Sequence, residues 1–154
     1  MSRGKILLGF GGAGVTTLAA LFGNSKIKEH NYRIKMEKFR KTAKRVNGYL
    51  NDLVNRREWD KDTKIYDPEH EIWDRKFQSY MNQWHDNKFQ YVPPKVKNNL
   101  ESFKNFCFEQ MESNAEKDLK DINASNIPPE KGYLEYCLVS DVELKQLIPE
   151  SQSV

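Results

Sequence analysis

The most strongly patterned stretch of the chain is its beginning, where twenty consecutive residues, 6–25, contain no Asp, Glu, Lys, Arg or His. Eighteen of them, Ile6 to Gly23, are apolar or small, and basic residues flank the run on both sides. A helix of roughly 17–25 apolar residues crosses the hydrocarbon core of a bilayer. The pattern therefore predicts an N-terminal transmembrane helix that anchors the chain.

Small residues recur along this predicted span at helical spacing. Two adjacent stripes of the type small-xxx-small run along it, and such stripes let helix backbones approach closely in lipid. We therefore expect the span to pack against another membrane helix, although a simple anchor with incidental glycines is an alternative. The predicted packing residues are Gly9, Gly12, Ala13, Thr16, Thr17 and Ala20.

The same glycines resemble a phosphate-binding loop, which reads G-x-x-x-x-G-K-[ST]. Gly9 and Gly14 have the required spacing and Thr16 occupies the hydroxyl position, but Val15 stands where the lysine belongs. No strand–loop–helix–strand pattern follows the glycines. The sequence therefore argues against a nucleotide site.

Residues 26–57 have apolar positions at steps of three and four, which predicts an amphipathic helix. Its apolar stripe comprises Ile34, Phe39, Ala43, Val46, Leu50 and Leu53. A basic helix next to a membrane span favours contact with anionic head groups or with an acidic partner, and a solvated face is the alternative. The predicted contact residues are Lys35, Lys38, Arg40, Lys41, Lys44 and Arg45.

A second helix is predicted from the N-cap signal Asp67-Pro68 to about residue 88. One side of it is aromatic, and we interpret this side as a buried packing face or an interface with another protein, with a cofactor-binding face as the alternative. The residues concerned are Trp73, Phe77, Tyr80 and Trp84. After Pro93-Pro94, a third helix is predicted over residues 95–122, with an apolar stripe from Val96 to Leu119.

The C-terminal part contains shorter elements. Residues 133–139 alternate loosely, which predicts a short strand or an extended segment. Ser140 and Glu143 form a capping-box pattern before a short helix that ends near Ile148. The predicted fold class is therefore mainly α: one transmembrane helix, then three or four amphipathic helices, with at most one short C-terminal strand.

Charge divides the chain into three regions. Residues 1–25 form the anchor, residues 26–57 carry eleven Lys and Arg against three acids, and residues 58–154 carry twelve against nineteen. The predicted organisation is an anchor, a basic helix next to the membrane and an acidic helical region. Cys107 and Cys137 match no metal or redox motif and are expected to be free thiols. A single disulfide between them is the alternative if this part of the chain lies in an oxidising compartment.

No catalytic or metal-binding set emerges from the residue pattern. The stretch from His70 to Asp74 reads H-E-I-W-D and lacks the second histidine of a zinc-protease motif. No nucleophile motif and no nucleic-acid-binding motif is present. We expect no enzymatic activity, no cofactor, no small-molecule substrate and no nucleic-acid partner.

The whole pattern resembles the small single-pass accessory subunits of mitochondrial inner-membrane respiratory and ATP synthase complexes. The resemblance implies a structural role, in which the glycine-rich span packs on core helices and the remainder braces neighbouring subunits. A membrane-tethered assembly factor, or a protein that binds lipid head groups or a client protein, is the alternative. Because basic residues favour the matrix side, the region after the span is expected in the matrix.

Overall fold

The protein is described by a computed structural model that covers residues 13–53, 59–60, 62–86 and 89–149, with side chains from Ser25 onwards. These residues are mainly helical, as predicted, and none belongs to a strand of regular length. The α-helices are α1 (Ala13–Asp52), α2 (Ile72–Met81), α3 (Leu100–Asp121), α4 (Tyr133–Cys137) and α5 (Asp141–Leu147), with short 3-10 helices at Pro94–Lys97 and Pro129–Lys131.

Residues 6–12 of the predicted transmembrane helix lie outside the described residues, and residues 13–23 belong to the backbone of α1. Among the described residues, no helix combines the length and the apolar composition needed to cross a membrane. Of the predicted packing residues, Gly9 and Gly12 fall outside the described residues. The other four, Ala13, Thr16, Thr17 and Ala20, belong to the backbone of α1, and their side chains are not described.

Internal contacts divide the chain into an N-terminal unit, which ends at Lys38, and a body, which begins at Phe39. Within the body, α1 buries the predicted apolar stripe, with Phe39, Ala43, Val46 and Leu50 all enclosed. Ile34 was expected in the same stripe, but it belongs to the N-terminal unit and is 52% exposed.

Helix α2 is shorter than predicted because turns occupy both ends of the expected range. Asp67 was predicted to cap the helix, but its carboxylate accepts a hydrogen bond from the Glu69 N–H (2.9 Å) in a tight turn. The imidazole Nδ1 of His70 then accepts the Ile72 N–H (3.0 Å) where α2 begins. Side chains of this kind satisfy the free N–H groups at helix starts.

Helix α3 follows its predicted pattern closely. Asn99 caps it by accepting the Ser102 N–H at 2.8 Å. Its stripe of Phe103, Cys107, Met111, Ala115 and Leu119 is buried as the three-four spacing predicts.

The prediction of a strand over residues 133–139 is wrong, since residues 133–137 form α4. Four of the five α4 residues are buried, so the helix shows no polar face in its sequence. Only Val139 pairs in the manner of a strand, through two backbone hydrogen bonds with Lys64 (3.0 and 2.9 Å).

The segment around Lys64 is also tied to α1 by a side chain. The Asn47 amide donates to the Ile65 carbonyl (3.0 Å) and accepts the Ile65 N–H (2.9 Å). One side-chain amide thereby satisfies both backbone groups of a buried residue, which would otherwise be costly to enclose. The dipeptide Lys64–Ile65 is thus bonded on two sides, to Asn47 of α1 and to Val139.

Helix α5 begins as predicted, because the Ser140 hydroxyl accepts the Glu143 N–H at 3.2 Å. The second half of a capping box would direct the Glu143 carboxylate back to Ser140. That carboxylate instead forms an ion pair with Lys76 of α2. Ser140 therefore sets the start of α5, while the Glu143 carboxylate pairs with the distant Lys76.

Aromatic rings fill the centre of the body. Phe39 stacks on Phe108 with ring centroids 4.4 Å apart, and Trp73 lies 5.2 Å from the same ring. Phe89 contacts both Trp84 and Tyr136 at 5.0 Å. The rings therefore join α1, α2, α3 and α4 in one core, and aromatic pairs at these distances contribute about 0.5–1.5 kcal/mol each beyond their burial.

The prediction of two free thiols is wrong, because Cys107 and Cys137 form a disulfide. Their Cα atoms are 5.4 Å apart, and both side chains are fully buried. Sequence spacing did not reveal the bond because it depends on α4 packing against α3. The bond fixes the C-terminal end of α4 to the middle of α3.

Removing the disulfide should destabilise the body. It closes a loop with a sequence separation of 30 residues, for which loop entropy predicts about 3–4 kcal/mol. We expect the double variant Cys107→Ala/Cys137→Ala to lose stability of that order in urea unfolding. Alkylation of the unfolded, non-reduced wild type should modify no thiol, and modification of two thiols would contradict the bond.

Two glycines offer a matched test of packing. A methyl group at Gly132 would lie 2.8 Å from the Tyr136 hydroxyl oxygen, whereas one at Gly48 in α1 would meet nothing within 4 Å. We expect Gly132→Ala to destabilise the body by about 1–3 kcal/mol through overcrowding. Gly48→Ala should stabilise it by about 0.5–1 kcal/mol because alanine favours helix. Equal effects in urea unfolding would refute the packing argument.

Candidate interaction surface

The predicted basic residues of α1 that lie in the body do not form one uniform charged face. Arg40 donates from Nε to Asp67 (2.8 Å) and from a terminal nitrogen to Glu69. Partial burial would raise the pKa of Asp67, but the hydrogen bonds from Arg40 and from the Glu69 N–H outweigh it and lower that pKa below its usual value. Arg40 is therefore engaged by the body's own acids.

Arg45 is also engaged within the body, since it donates to the Glu112 carbonyl of α3 at 3.1 Å. Lys41 and Lys44 are exposed. In the N-terminal unit, Lys38 is exposed and Lys35 is half-buried. Of the six basic residues predicted to contact lipid or an acidic partner, the two arginines instead bond to groups of the body itself.

The predicted aromatic interface lies in the interior. Trp73, Phe77 and Trp84 are buried, and Tyr80 is half-buried. Their rings contact Phe103 of α3 at centroid distances of 5.9–6.4 Å. The structure therefore supports the interpretation as a buried packing face. The first three side chains leave almost no surface for contact with another protein.

A group that the sequence pattern did not single out is Lys76, which is fully buried. Its ammonium donates to the carbonyls of Leu138 (2.9 Å) and Glu135 (3.3 Å) and to the Glu143 carboxylate (3.1 Å). A lysine ammonium has three donors, and all three are satisfied here. Two of the acceptors are carbonyls at the C-terminal end of α4, where the helix dipole favours a cation.

This enclosure changes the titration of the neighbouring groups. Burial lowers the pKa of Lys76, and the charge of Glu143 only partly opposes that shift. Burial, reinforced by the charge of Glu143, raises the pKa of Tyr80 well above its usual value. Because every donor of Lys76 is used internally, the site holds α2, α4 and α5 together and leaves no amine for a substrate.

Buried Asp118 of α3 is the other enclosed charge among the described residues. It accepts a hydrogen bond from the Tyr133 hydroxyl (2.6 Å) and pairs with Lys131 (3.2 Å). Burial and this hydrogen bond raise the pKa of Tyr133. Like Lys76, Asp118 is used to fasten α4.

Three clefts, each lined by both polar and apolar residues, indent the described surface of the body. Two adjoin each other between α1 and residues 62–70, with volumes of about 340 and 460 Å³, and the third, of about 440 Å³, lies beside Trp59 and Glu143. Lys64 lies over the Tyr66 ring between the first two clefts, at 4.7 Å. The described residues contain no group of three side chains placed to hold a metal ion.

Comparison with known protein families, with curated proteins and with solved structures finds no match for this chain.

The Lys76 site predicts a particular pH dependence. The pKa of Lys76 is lowered in the folded chain, whereas an ordinary lysine has a pKa of about 10.5. At pH values between these two pKa values, Lys76 is deprotonated in the folded chain and protonated in the unfolded chain. The free energy of unfolding contributed by this site therefore rises with pH across that window. The stability of the wild type relative to Lys76→Met should increase as the pH approaches 10.5, as measured by urea unfolding at several pH values.

A matched control is Lys117→Met, because Lys117 is 81% exposed and pairs with Asp121 on the surface of α3. We expect this change to leave the free energy of unfolding almost unchanged, because an exposed ion pair contributes little to stability. At pH 7, Lys76→Ala should cost about 3–5 kcal/mol, because it strands the Glu143 carboxylate and two buried carbonyls. Similar costs for the two lysines would contradict the role given to Lys76.

Proposed function

We propose that the chain is a non-catalytic structural accessory subunit of a multi-subunit membrane complex. Its sequence pattern resembles the accessory subunits of the respiratory and ATP synthase complexes of the mitochondrial inner membrane, and we propose that it belongs to one of these complexes. In this role the charge-free segment 6–23 anchors the chain on core membrane helices. The body then braces neighbouring subunits outside the bilayer.

The observation that carries this proposal is the continuity of α1. The helix includes residues 13–23 of the charge-free segment and continues through the basic region to Asp52, and its later turns bury Phe39, Ala43, Val46 and Leu50 in the body. No loop separates the anchor from the body within Ala13–Asp52.

The use of buried charge in the body supports a structural role. Lys76 and Asp118 are enclosed, and each bonds to groups of its own chain. Perturbed ionisable groups in an active site face a cleft where substrate can reach them. Here the enclosed charges instead join α4 to α2, α3 and α5.

The disulfide bears on which side of the membrane holds the body. The basic residues after the span favour the matrix side, but a stable disulfide favours an oxidising compartment. The bond is buried in the core and closes a long loop, so it is part of the folded state of the body. We therefore propose that the body faces away from the reducing matrix, in contrast to the expectation from charge alone.

The proposal predicts that the native protein is found in a large complex. We expect a tagged full-length chain, extracted in mild detergent, to co-migrate with one membrane complex on a native gel at fixed stoichiometry. Mass spectrometry of that band would identify the complex.

Protease protection in isolated mitochondria tests on which side of the inner membrane the body lies. If the body lies outside the matrix, we expect added protease to cut it once the outer membrane is opened.

Other outcomes of the same experiment have definite meanings. Substoichiometric association with incomplete complexes alone would favour the assembly-factor function. Release of the chain from membranes by alkaline carbonate, as a monomer, would overturn the membrane anchor and with it the proposed function.

A further inference from the structure

The N-terminal unit carries large apolar side chains on its surface. Within the segment Ser25–Lys38 of α1, called here the stalk, Ile27 is 58% and Ile34 is 52% exposed. The two isoleucines are seven residues apart and therefore share one face of the helix. The positions between them on this face, His30 and Asn31, are polar, so the two isoleucines form a narrow apolar seam that another helix can cover.

The stalk is also basic. It contains five Lys and Arg, among them Lys26, Lys28 and Arg33, against two acids, Glu29 and Glu37. A second copy of the chain would present the same positive charge, and like charges across an interface are unfavourable. Charge complementarity therefore favours an occupant that carries acidic residues.

Geometry decides between a lipid surface and a protein. If the membrane span ends at Gly23, Ile34 lies about 16 Å further along a helix that rises 1.5 Å per residue. The head-group layer on each side of the bilayer is only about 5–7 Å thick. Even at a tilt of about 40°, Ile34 would stand clear of the lipid.

We propose that the stalk binds an acidic helix of a neighbouring protein subunit, with Ile27 and Ile34 in its apolar seam and Arg33 among the cations that pair with the partner's acids. The inference rests on the proposed membrane anchoring and specifies one partner of the accessory subunit. Of the two isoleucines, Ile34 lies further from the membrane. The lipid head-group layer extends about as far as Ile27 and does not reach Ile34.

The test places the photo-crosslinking amino acid p-benzoylphenylalanine at residue 34 of the full-length chain in its native membrane. The matched control has the same amino acid at Glu29, which is exposed on the other side of the stalk. We expect a protein adduct from position 34 and little from position 29. The crosslinked peptide should come from one subunit and be rich in Asp and Glu.

Substitution gives a second readout. Ile34→Ser should weaken retention of the chain in the complex roughly tenfold, from the loss of apolar burial. Val142→Ser is the matched control, because Val142 is 59% exposed on α5 of the body. Both positions are on the surface, so neither change should impair folding.

Several results would overturn the inference. These are a lipid adduct at position 34, an adduct with a second copy of the chain, equal adducts at positions 34 and 29, or no adduct at 34. Each can occur while the chain still co-migrates with a complex, in which case the proposed function stands without this contact. Absence of the chain from any complex would instead refute the proposed function.

Discussion

The enclosed ammonium group of Lys76 constrains how the C-terminal half of the body can fold. It must find three acceptors without water, and it finds them on α4, on the residue after α4 and on α5. Moving any of these elements would leave a buried charge or buried carbonyls unpaired, at a cost of several kcal/mol. The disulfide and the Asp118–Tyr133 hydrogen bond hold α4 from the side of α3. A five-residue helix, too short to be stable alone, is thereby fixed from two directions.

The sequence predicted those elements whose signals are local. The stripe of α3 and the Ser140 cap of α5 depend on residues three or four apart, and both are present in the structure. The elements that were missed depend on distant residues. Residues 133–137 are buried on nearly all sides, so no polar face distinguishes a helix from a strand there. Helix α2 begins late because turns at Asp67 and His70 take the first backbone groups.

The predicted surfaces show the same limit. Helical spacing identified the basic positions of α1, but it could not show that Arg40 would meet acids 27 and 29 residues away. The aromatic stripe from Trp73 to Trp84 was recognised, but only its packing on α3 and α4 decides between a buried face and an interface. Lys76 was missed because most lysines beside an apolar stripe keep the ammonium group in solvent. The signal that could have found it is its position between Trp73 and Phe77, on the apolar side of α2.

The positions of the indole rings have a spectroscopic consequence. The chain has three tryptophans, and Trp59, Trp73 and Trp84 are all buried in the body. Their side chains are only 4%, 1% and 7% exposed, so all three indole rings are shielded from water and should emit at short wavelength. Intrinsic fluorescence therefore follows the opening of the body without any added label. The same emission is insensitive to the stalk, which contains no tryptophan, so a helix that frays there leaves the spectrum unchanged.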